Sequence, residues 1–326
     1  MCTSLALNTP DFYFGRNLDL ECSFGEQVVI TPRRYPIAFR KAAKNSRHYA
    51  FIGMAAIVDG YPLYADAMNE MGLAAAGLNF PGNAWYSPNE EYDKLNISPF
   101  ELIPWLLSRC KDLCQARSLL AKTHLTAIPF RKGYPLSPLH WHIADETGSI
   151  VLEATRQGMR IYDNPAGVLT NNPPFDFHMT NLNQYMNLTP GLSENHFSPS
   201  LSLSAFGRGM GAIGLPGDYS PASRFVRAAF LRGNSVCENT VQSAVTQFFH
   251  LLDNVSMPSG SVRLEENRLE ITRYSCCMQK NGLIFYYKTY DNNQITAVDM
   301  LREDLNAEQL IAYPLCRKQQ IQWINR

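Results

Sequence analysis

Predicted helices occur in pairs in this sequence, and long runs of predicted strands stand before, between and after the pairs. Apolar residues at helical spacing predict the helices, which cover residues 100–108 and 112–121, and then 224–231 and 240–252. A parallel sheet needs a crossover, usually a single helix, between neighbouring strands. The paired helices therefore favour antiparallel sheets covered by helices, in an α+β fold.

The predicted strands begin with a hairpin at the N-terminus. Residues 2–7 and 12–16 are apolar runs separated by Asn8-Thr9-Pro10-Asp11, which is a typical turn sequence. Segment 171–220 has little periodicity and is rich in Asn, Pro, Ser and Gly, so we expect a long loop that is functional or lies at an interface. The other predicted strands are 27–31, 49–58, 61–65, 73–79, 140–144, 150–154, 160–162, 269–277, 283–290 and 295–300.

Charge and hydropathy argue against several classes of partner. The 326 residues include 29 Lys+Arg and 29 Asp+Glu, so the formal net charge is zero. Nucleic acids and anionic membranes favour proteins with a surplus of basic residues, and we expect neither as a partner. No apolar run is long enough for a transmembrane helix, and the N-terminus does not resemble a secretory signal. We therefore expect a cytoplasmic protein whose eight cysteines are reduced.

Two pairs of residues have a spacing that metal ligands use, but neither pair completes a site. Cys110 and Cys114 are one helical turn apart, and His140 and His142 share one face of a predicted strand. A zinc site needs at least three protein ligands, and no further Cys or His follows at a suitable spacing. We interpret these residues as core thiols and strand histidines, and we expect no metal.

The residue that most strongly indicates chemistry is Cys2. Removal of Met1, which is favoured when the second residue is small, would leave a thiol and an α-amine on one residue. An α-amine titrates at about 7.7–8.0, so near neutral pH part of it is uncharged and can accept the thiol proton. This is the arrangement of an N-terminal nucleophile. The alternative is an ordinary residue at a frayed terminus.

The predicted hairpin favours the first interpretation. The end of its second strand returns beside the start of the first, so Arg16 and Asp19 should lie near Cys2. A permanent cation beside a thiol favours the thiolate, and a carboxylate beside an amine can orient it. The alternative for Arg16 and Asp19 is an ion pair at the surface.

Five segments in sequence order share residues with one known family. They are Met1-Cys2-Thr3, Gly15-Arg16-Asn17-Leu18-Asp19, Gly77-Leu78-Asn79-Phe80-Pro81-Gly82, Leu169-Thr170-Asn171-Asn172-Pro173 and Ser223-Arg224-Phe225. Together they resemble the choloylglycine hydrolase family, most closely its bile salt hydrolases, with penicillin V acylases as relatives. The resemblance implies an αββα Ntn-hydrolase sandwich of two antiparallel sheets between helix layers, formed by residues 2–326 as a single domain.

The resemblance also implies roles around the N-terminus. Cys2 would be the nucleophile, with its own α-amine as the proton shuttle. Arg16 would stabilise the thiolate, and Asp19 would hold the α-amine. Arg224 would belong to the polar network that holds the Cys2 region.

Two asparagines are implied as donors of the oxyanion hole. Asn79 and Asn171 would act one through a backbone N–H and the other through a side-chain amide. Such fixed neutral donors suit the task, because attack on an amide places negative charge on the carbonyl oxygen. Taken alone, both asparagines could equally be turn residues. Asn79 favours bile salt hydrolases, since penicillin V acylases tend to carry Tyr at this position.

The implied substrate is a glycine- or taurine-conjugated bile salt, whose steroid needs a broad apolar groove. The resemblance implies no metal or organic cofactor, and a homotetramer in which segment 171–220 packs across subunits. Two alternatives stay open: the same machinery acting on penicillin V or an N-acyl homoserine lactone, and a catalytically inactive steroid- or lipid-binding protein. Candidate groove residues, which could also be ordinary loop packing, are Leu18, Ile128, Phe130, Tyr134 and Leu136.

Overall fold

The structure is a computed structural model that describes residues 1–325. The α-helices are α1 (Leu102–Leu107), α2 (Leu113–Leu120), α3 (Phe175–Asn181), α4 (Pro221–Gly233) and α5 (Val241–Asp253). In chain order the strands are β1 (Cys2–Asn8), β2 (Phe12–Leu20), β3 (Gln27–Thr31), β4 (Phe51–Val58), β5 (Tyr61–Asn69), β6 (Ala74–Asn79), β7 (Leu95–Ile97), β8 (Thr123–Leu125), β9 (Leu139–Asp145), β10 (Gly148–Thr155), β11 (Gly158–Asp163), β12 (Val168–Leu169), β13 (Val262–Arg263), β14 (Leu269–Gln279), β15 (Ile284–Thr289), β16 (Asn292–Asp299) and β17 (Ile311–Pro314).

Two antiparallel sheets make up most of the molecule. The first sheet has the order β12-β1-β2-β14-β15-β16, with β13 paired to β14. The second has the order β11-β10-β9-β6-β5-β4-β3-β17. A short parallel pair, β7 with β8, stands apart from both. The predicted antiparallel arrangement is confirmed.

The two sheets face each other, and each is covered by a pair of helices. Strands β1 and β2 of the first sheet lie against β5 and β6 of the second. Helices α4 and α5 pack on the outer face of the first sheet, and α1 and α2 pack on the outer face of the second. The layers therefore follow the order helix, sheet, sheet, helix, which confirms the αββα sandwich predicted from the sequence.

The two sheets and their helix layers bury two apolar clusters. One contains Phe14 of the first sheet with Phe225 and Phe248 of its helices, and the other contains Trp141 of the second sheet with Leu106 of α1. Burial of each such large apolar side chain stabilises the fold by about 1.5–3 kcal/mol.

Gly15, next to Arg16, allows β2 to approach β14 closely. A Cβ atom at position 15 would lie 1.9 Å from the Cys276 carbonyl oxygen, which no real side chain tolerates. Only glycine permits this approach without moving the backbone.

Segment 171–220 contains one α-helix, α3, that the sequence did not predict. Helix α3 follows Pro174 and buries Phe175 and His178, whose rings pack against Phe225 of α4. A helix of seven residues spans about two turns, too few for apolar periodicity to distinguish it from a loop. Among the helices of residues 1–325, none combines the length and the apolar character needed to cross a membrane.

Candidate active site

The β1–β2 hairpin places Cys2 and Arg16 on the same face of the first sheet. In the ladder Cys2 pairs with Leu18, and Ser4 pairs with Arg16. Directly paired residues and alternate residues along a strand share a face, so all four side chains point the same way. The Ser4 hydroxyl lies 2.8 Å from Nδ1 of His142 in the second sheet. Cys2 therefore faces the space between the sheets.

The guanidinium of Arg16 is buried between the sheets and held by backbone carbonyls. Its Nη1 donates to the carbonyl of Gly77 at 2.6 Å and to that of Ala65 at 3.2 Å. Its Nη2 is buried without a hydrogen-bond partner among residues 1–325. Burial opposes the charge, but neighbouring groups, Cys2 foremost among them, raise the pKa of Arg16 above its usual value. The site thus contains a permanent cation beside the thiol.

Asp19 belongs to the opposite, helix-facing side of β2. Asn17, on that same side, donates to a backbone carbonyl of α5 at 2.8 Å. Asp19 Oδ1 accepts a hydrogen bond from the Thr272 hydroxyl at 2.6 Å, and Oδ2 is buried with no partner in the described part of the chain. Burial raises the pKa of Asp19, and the positive charges of Arg224 and of the N-terminus act in the opposite direction.

Met1 is attached in this structure and occupies the space next to the Cys2 nitrogen. Its α-amine donates to the Asp19 carbonyl at 2.8 Å, and the Asp19 N–H donates to the Met1 carbonyl at 2.9 Å. The carboxylate of Glu270, a buried residue of β14, forms an ion pair with the same amine. Burial lowers the pKa of the Met1 α-amine.

Arg224 connects the N-terminal strand to Asn171. Helix α4 begins at Pro221 after the cap residue Ser220, which places Arg224 in its first turn. Nη1 of this buried arginine donates to the Cys2 carbonyl at 2.5 Å and to the Thr3 hydroxyl at 2.7 Å. Nη2 donates to Asn171 Oδ1 at 2.8 Å. One guanidinium thus fixes the positions of both Cys2 and Asn171.

The side chain of Asn171 bridges Cys2 and Asn79. Its Oδ1 accepts from the Cys2 N–H at 2.8 Å, and its Nδ2 donates to the Asn79 carbonyl at 2.8 Å. With Met1 attached, a role of this amide as an oxyanion donor would therefore depend on its second Nδ2 hydrogen. Asn79 takes one of the two Nδ2 hydrogens.

The backbone N–H of Asn79 points away from β9. Phe80, the next residue, donates its N–H to Pro138 at 2.7 Å, at the end of the β6–β9 ladder. N–H groups of an antiparallel strand alternate in direction, so the Asn79 N–H faces the opposite side. Asn79 is also among the residues that line the cavity described below.

Two buried histidines hold the backbone on which Asn171 lies. Nε2 of His140 lies 3.0 Å from the Thr170 carbonyl, and Nε2 of His178 lies 2.9 Å from the Asn171 carbonyl. Burial lowers the pKa of His178 to about 4, so the ring is neutral and donates through Nε2. The ring also stacks on Phe225 with 4.7 Å between centroids.

Cys2, Arg16 and Asn79 line a cavity of about 550 Å³ whose other walls are mostly apolar. Of the expected groove residues, Leu18, Phe130, Tyr134 and Leu136 line it. Ile128 is not among the lining residues, and its carbonyl instead accepts a hydrogen bond from the Ser98 hydroxyl. Further lining residues that the sequence did not indicate include Leu20, Phe24, Ala56, Val58, Leu63, Phe100 and Leu139.

Several buried polar residues around the site were not predicted. They are Asp66, Thr272, Glu270 and His178. A lone carboxylate within a largely apolar strand, as Asp66 is within β5, is a signal that could have been noticed. Neither the sequence of β5 nor that of β14 reveals that these two strands face each other across the sheets.

This arrangement suits acyl transfer from an amide. A thiol beside a fixed cation can act as a nucleophile, and neutral amide N–H groups can stabilise a developing oxyanion. Within residues 1–325, no three His, Cys, Asp or Glu side chains are grouped so that they could hold a metal ion.

Comparison of the sequence with known proteins finds one family and close relatives. A family model of linear amide C–N hydrolases, the choloylglycine hydrolase family, matches residues 2–313. The chain is 47% identical to the bile salt hydrolase/transferase of Lactiplantibacillus plantarum over 325 residues, which is 100% of both chains. It is 40% identical to the bile salt hydrolase/transferase of Clostridium perfringens over 329 residues, again 100% of both.

Solved structures show the same fold. The crystal structure of the mutant C2A conjugated bile acid hydrolase from Clostridium perfringens matches with a TM-score of 0.92 and 39% identity, over 100% of both chains. The penicillin V acylase from Agrobacterium tumefaciens matches with a TM-score of 0.76 and 20% identity, over 95% of this chain and 90% of that one. The latter likeness concerns the fold alone.

Proposed function

The chain belongs to the choloylglycine hydrolase family of linear amide C–N hydrolases, and we propose that it cleaves the amide bond of glycine- or taurine-conjugated bile salts with Cys2 as the nucleophile. One observation carries the proposal. Cys2, Arg16 and Asn79 line the same cavity, and the remaining walls of this cavity are mostly apolar. Cavities of roughly 300–1,000 Å³ with a few convergent polar groups are typical ligand sites. The steroid would occupy the apolar part, with its amide at Cys2.

Removal of Met1 would prepare the nucleophile. The Cys2 nitrogen would become an α-amine at the place where Asn171 Oδ1 now accepts its N–H at 2.8 Å. The unpartnered Oδ2 of Asp19 is a buried acceptor that this amine could use. Arg16, on the other face of β2, would favour the thiolate form of the sulfur. The proton of the thiol would pass to the amine.

Attack of the thiolate on the amide carbon would form a carbon–sulfur bond and place negative charge on the carbonyl oxygen. The Asn79 N–H and the second Nδ2 hydrogen of Asn171 would stabilise this oxyanion. Loss of one such donor lowers the rate by roughly 10²–10³. The Cys2 α-ammonium would then give its proton to the nitrogen of glycine or taurine, and the carbon–nitrogen bond would break.

Hydrolysis of the resulting thioester would complete the cycle. The α-amine would take a proton from water, and the hydroxide formed would attack the thioester carbon. The carbon–sulfur bond would break, and the proton would return to the sulfur. The products are the bile acid and the free amino compound, and the enzyme is restored without a cofactor.

The proposal is tested by parallel rate measurements on glycocholate, taurocholate and penicillin V. We expect hydrolysis of the bile salts by a protein whose intact mass lacks Met1, and loss of activity in Cys2→Ser. Cys114→Ser, which changes an exposed thiol of α2, should leave the rates unchanged. Hydrolysis that survives Cys2→Ser would contradict the role of the nucleophile. Cleavage of penicillin V alone would contradict the assignment of conjugated bile salts as the substrates. Binding of bile salt without cleavage would indicate an inactive binding protein.

A further inference from the structure

Asp66 is a fully buried carboxylate that follows Ala65, a residue of the cavity wall, and the proposed mechanism does not use it. It lies on β5 of the second sheet and points across to the first. Its Oδ2 accepts a hydrogen bond from the Tyr274 hydroxyl at 2.5 Å, and its Oδ1 lies 3.5 Å from the Cys276 sulfur. Both donors are on β14, the strand that pairs with β2 beside Arg16.

Arg16 is close to Asp66, because it donates to the carbonyl of the preceding residue, Ala65, and because its ladder partner Cys276 contacts Asp66. The ionisable groups that act on Arg16 are Cys2 of β1, Asp66 of β5, and Tyr274 and Cys276 of β14. Arg16 forms no salt bridge of 4.0 Å or less within residues 1–325, and its hydrogen bonds go to backbone carbonyls. Its positive charge therefore acts on both the Cys2 sulfur and the Asp66 carboxylate.

Both carboxylate oxygens of Asp66 accept hydrogen bonds from β14. Each of its oxygens faces a protonated donor, because burial raises the pKa of both Tyr274 and Cys276 well above their usual values. The hydrogen bonds from Tyr274 and Cys276 and the positive charge of Arg16 all favour the ionised form of Asp66. Burial raises the pKa of Asp66, and Arg16 is the first of the groups that counteract this effect.

We propose that Asp66 is a positioning residue that acts on Cys2 through Arg16. Its negative charge partly offsets the positive charge of Arg16, so the Cys2 thiolate is stabilised less than it would be by Arg16 alone. The inference rests on the proposed role of Cys2 as the nucleophile. Its functional sense follows from thiol chemistry: a thiolate that is strongly stabilised is also a weaker nucleophile. Asp66 limits the stabilisation and so keeps the sulfur reactive.

The test is the rate of alkylation of Cys2 by iodoacetamide as a function of pH, read from the mass of the N-terminal peptide. In Asp66→Asn the acidic limb of the profile should move by about 1 pH unit to lower pH, because no carboxylate then offsets the charge of Arg16. The limiting rate at high pH should fall about threefold, as expected from a Brønsted coefficient of about 0.4–0.5. The profile of kcat/KM for glycocholate should shift in the same direction.

Two further variants keep the result interpretable. Asp66→Ser introduces a neutral side chain that is smaller than Asp, so it removes the charge without crowding its neighbours. The acidic limb of the alkylation profile should move to lower pH, as in Asp66→Asn. Asp145→Asn removes another buried carboxylate, which binds the Leu113 N–H at 2.7 Å beyond the far face of the second sheet, and it should leave the profile unchanged.

A folded Asp66→Asn or Asp66→Ser with the wild-type pH profile would overturn the inference, as would a shift to higher pH. These outcomes are separate from a failure of the proposed function, which would appear as hydrolysis in Cys2→Ser. Alkylation of Cys2 can be followed whether or not bile salts are the substrate.

Discussion

The two faces of strand β2 compensate buried charge in different ways. On the face between the sheets, the cation of Arg16 is held by the carbonyls of Gly77 and Ala65, and its charge acts on the Cys2 thiol and the Asp66 carboxylate. On the helix-facing side, the carboxylate of Asp19 is held by the Thr272 hydroxyl, with Arg224 as its main positive neighbour. Strand β2 thus carries a buried cation, Arg16, on one face and a buried carboxylate, Asp19, on the other, three positions apart.

This difference matches the two atoms that Cys2 would use in catalysis. Under the proposed mechanism, Arg16 on one face would favour the thiolate, and Asp19 on the other face would orient the amine. Mutations on the helix-facing side should therefore affect proton transfer, and mutations between the sheets should affect the charge state of the sulfur. The predictions below test this division.

The largest effect is expected at Asp19. Asp19→Asn should lower kcat for glycocholate about 100-fold with little change in KM, because general acid–base catalysis contributes roughly 10²–10⁴ and the amine would lose its orienting charge. Asp176→Asn, an exposed aspartate of α3, is the matched control and should be neutral. An increase in KM with kcat unchanged would show that Asp19 acts on substrate binding instead.

A smaller effect is expected at Arg16 on the opposite face. Arg16→Gln should lower kcat/KM about 10- to 100-fold at pH 7 and recover part of the loss at higher pH, because the cation is no longer present to favour the thiolate. Steady-state rates between pH 5 and 9 measure this. An equal loss at every pH would mean that Arg16 has no electrostatic role, and the division between the two faces would fail.

The smallest effect is expected at Thr272. Thr272→Val removes the hydroxyl that donates to Asp19 at 2.6 Å and keeps the shape of the side chain. A hydrogen bond to a charged group contributes about 1.5–3 kcal/mol, and if about half of this acts on the barrier, kcat should decrease by up to about tenfold. Ser275 lies on the same strand as Thr272, and its hydroxyl donates to Asn17 Oδ1 at 2.7 Å. Ser275→Ala should therefore change kcat far less. Similar losses in both variants would indicate a general disturbance of β14.

Local patterns in the sequence predicted most of the strands and helices, and the hairpin register predicted that Arg16 and Asp19 approach Cys2. The register works because the pairing of Cys2 with Leu18 follows from a short turn between adjacent strands. The hairpin register gives no information about contacts between the two sheets. The contact of Asp66 with Tyr274 joins residues 208 positions apart, and no local pattern encodes it.

The loop residues show a second limit of sequence reasoning. Phe130 and Tyr134 line the cavity as expected, but Ile128 does not, and its carbonyl accepts a hydrogen bond from Ser98 thirty residues earlier. In a loop, side-chain direction is set by such individual contacts instead of a repeating pattern. Helix α3 was missed for a related reason, because two helical turns give too little periodicity.

The central claim is that the Cys2 sulfur forms a covalent bond with the acyl group. It is tested most directly by stopping the reaction with glycocholate in acid during the first turnovers and measuring the mass of the N-terminal peptide. The account predicts a peptide that begins at Cys2, lacks Met1 and carries one cholyl group as a thioester. An acyl group on a different residue, or turnover by a chain that retains Met1, would contradict it.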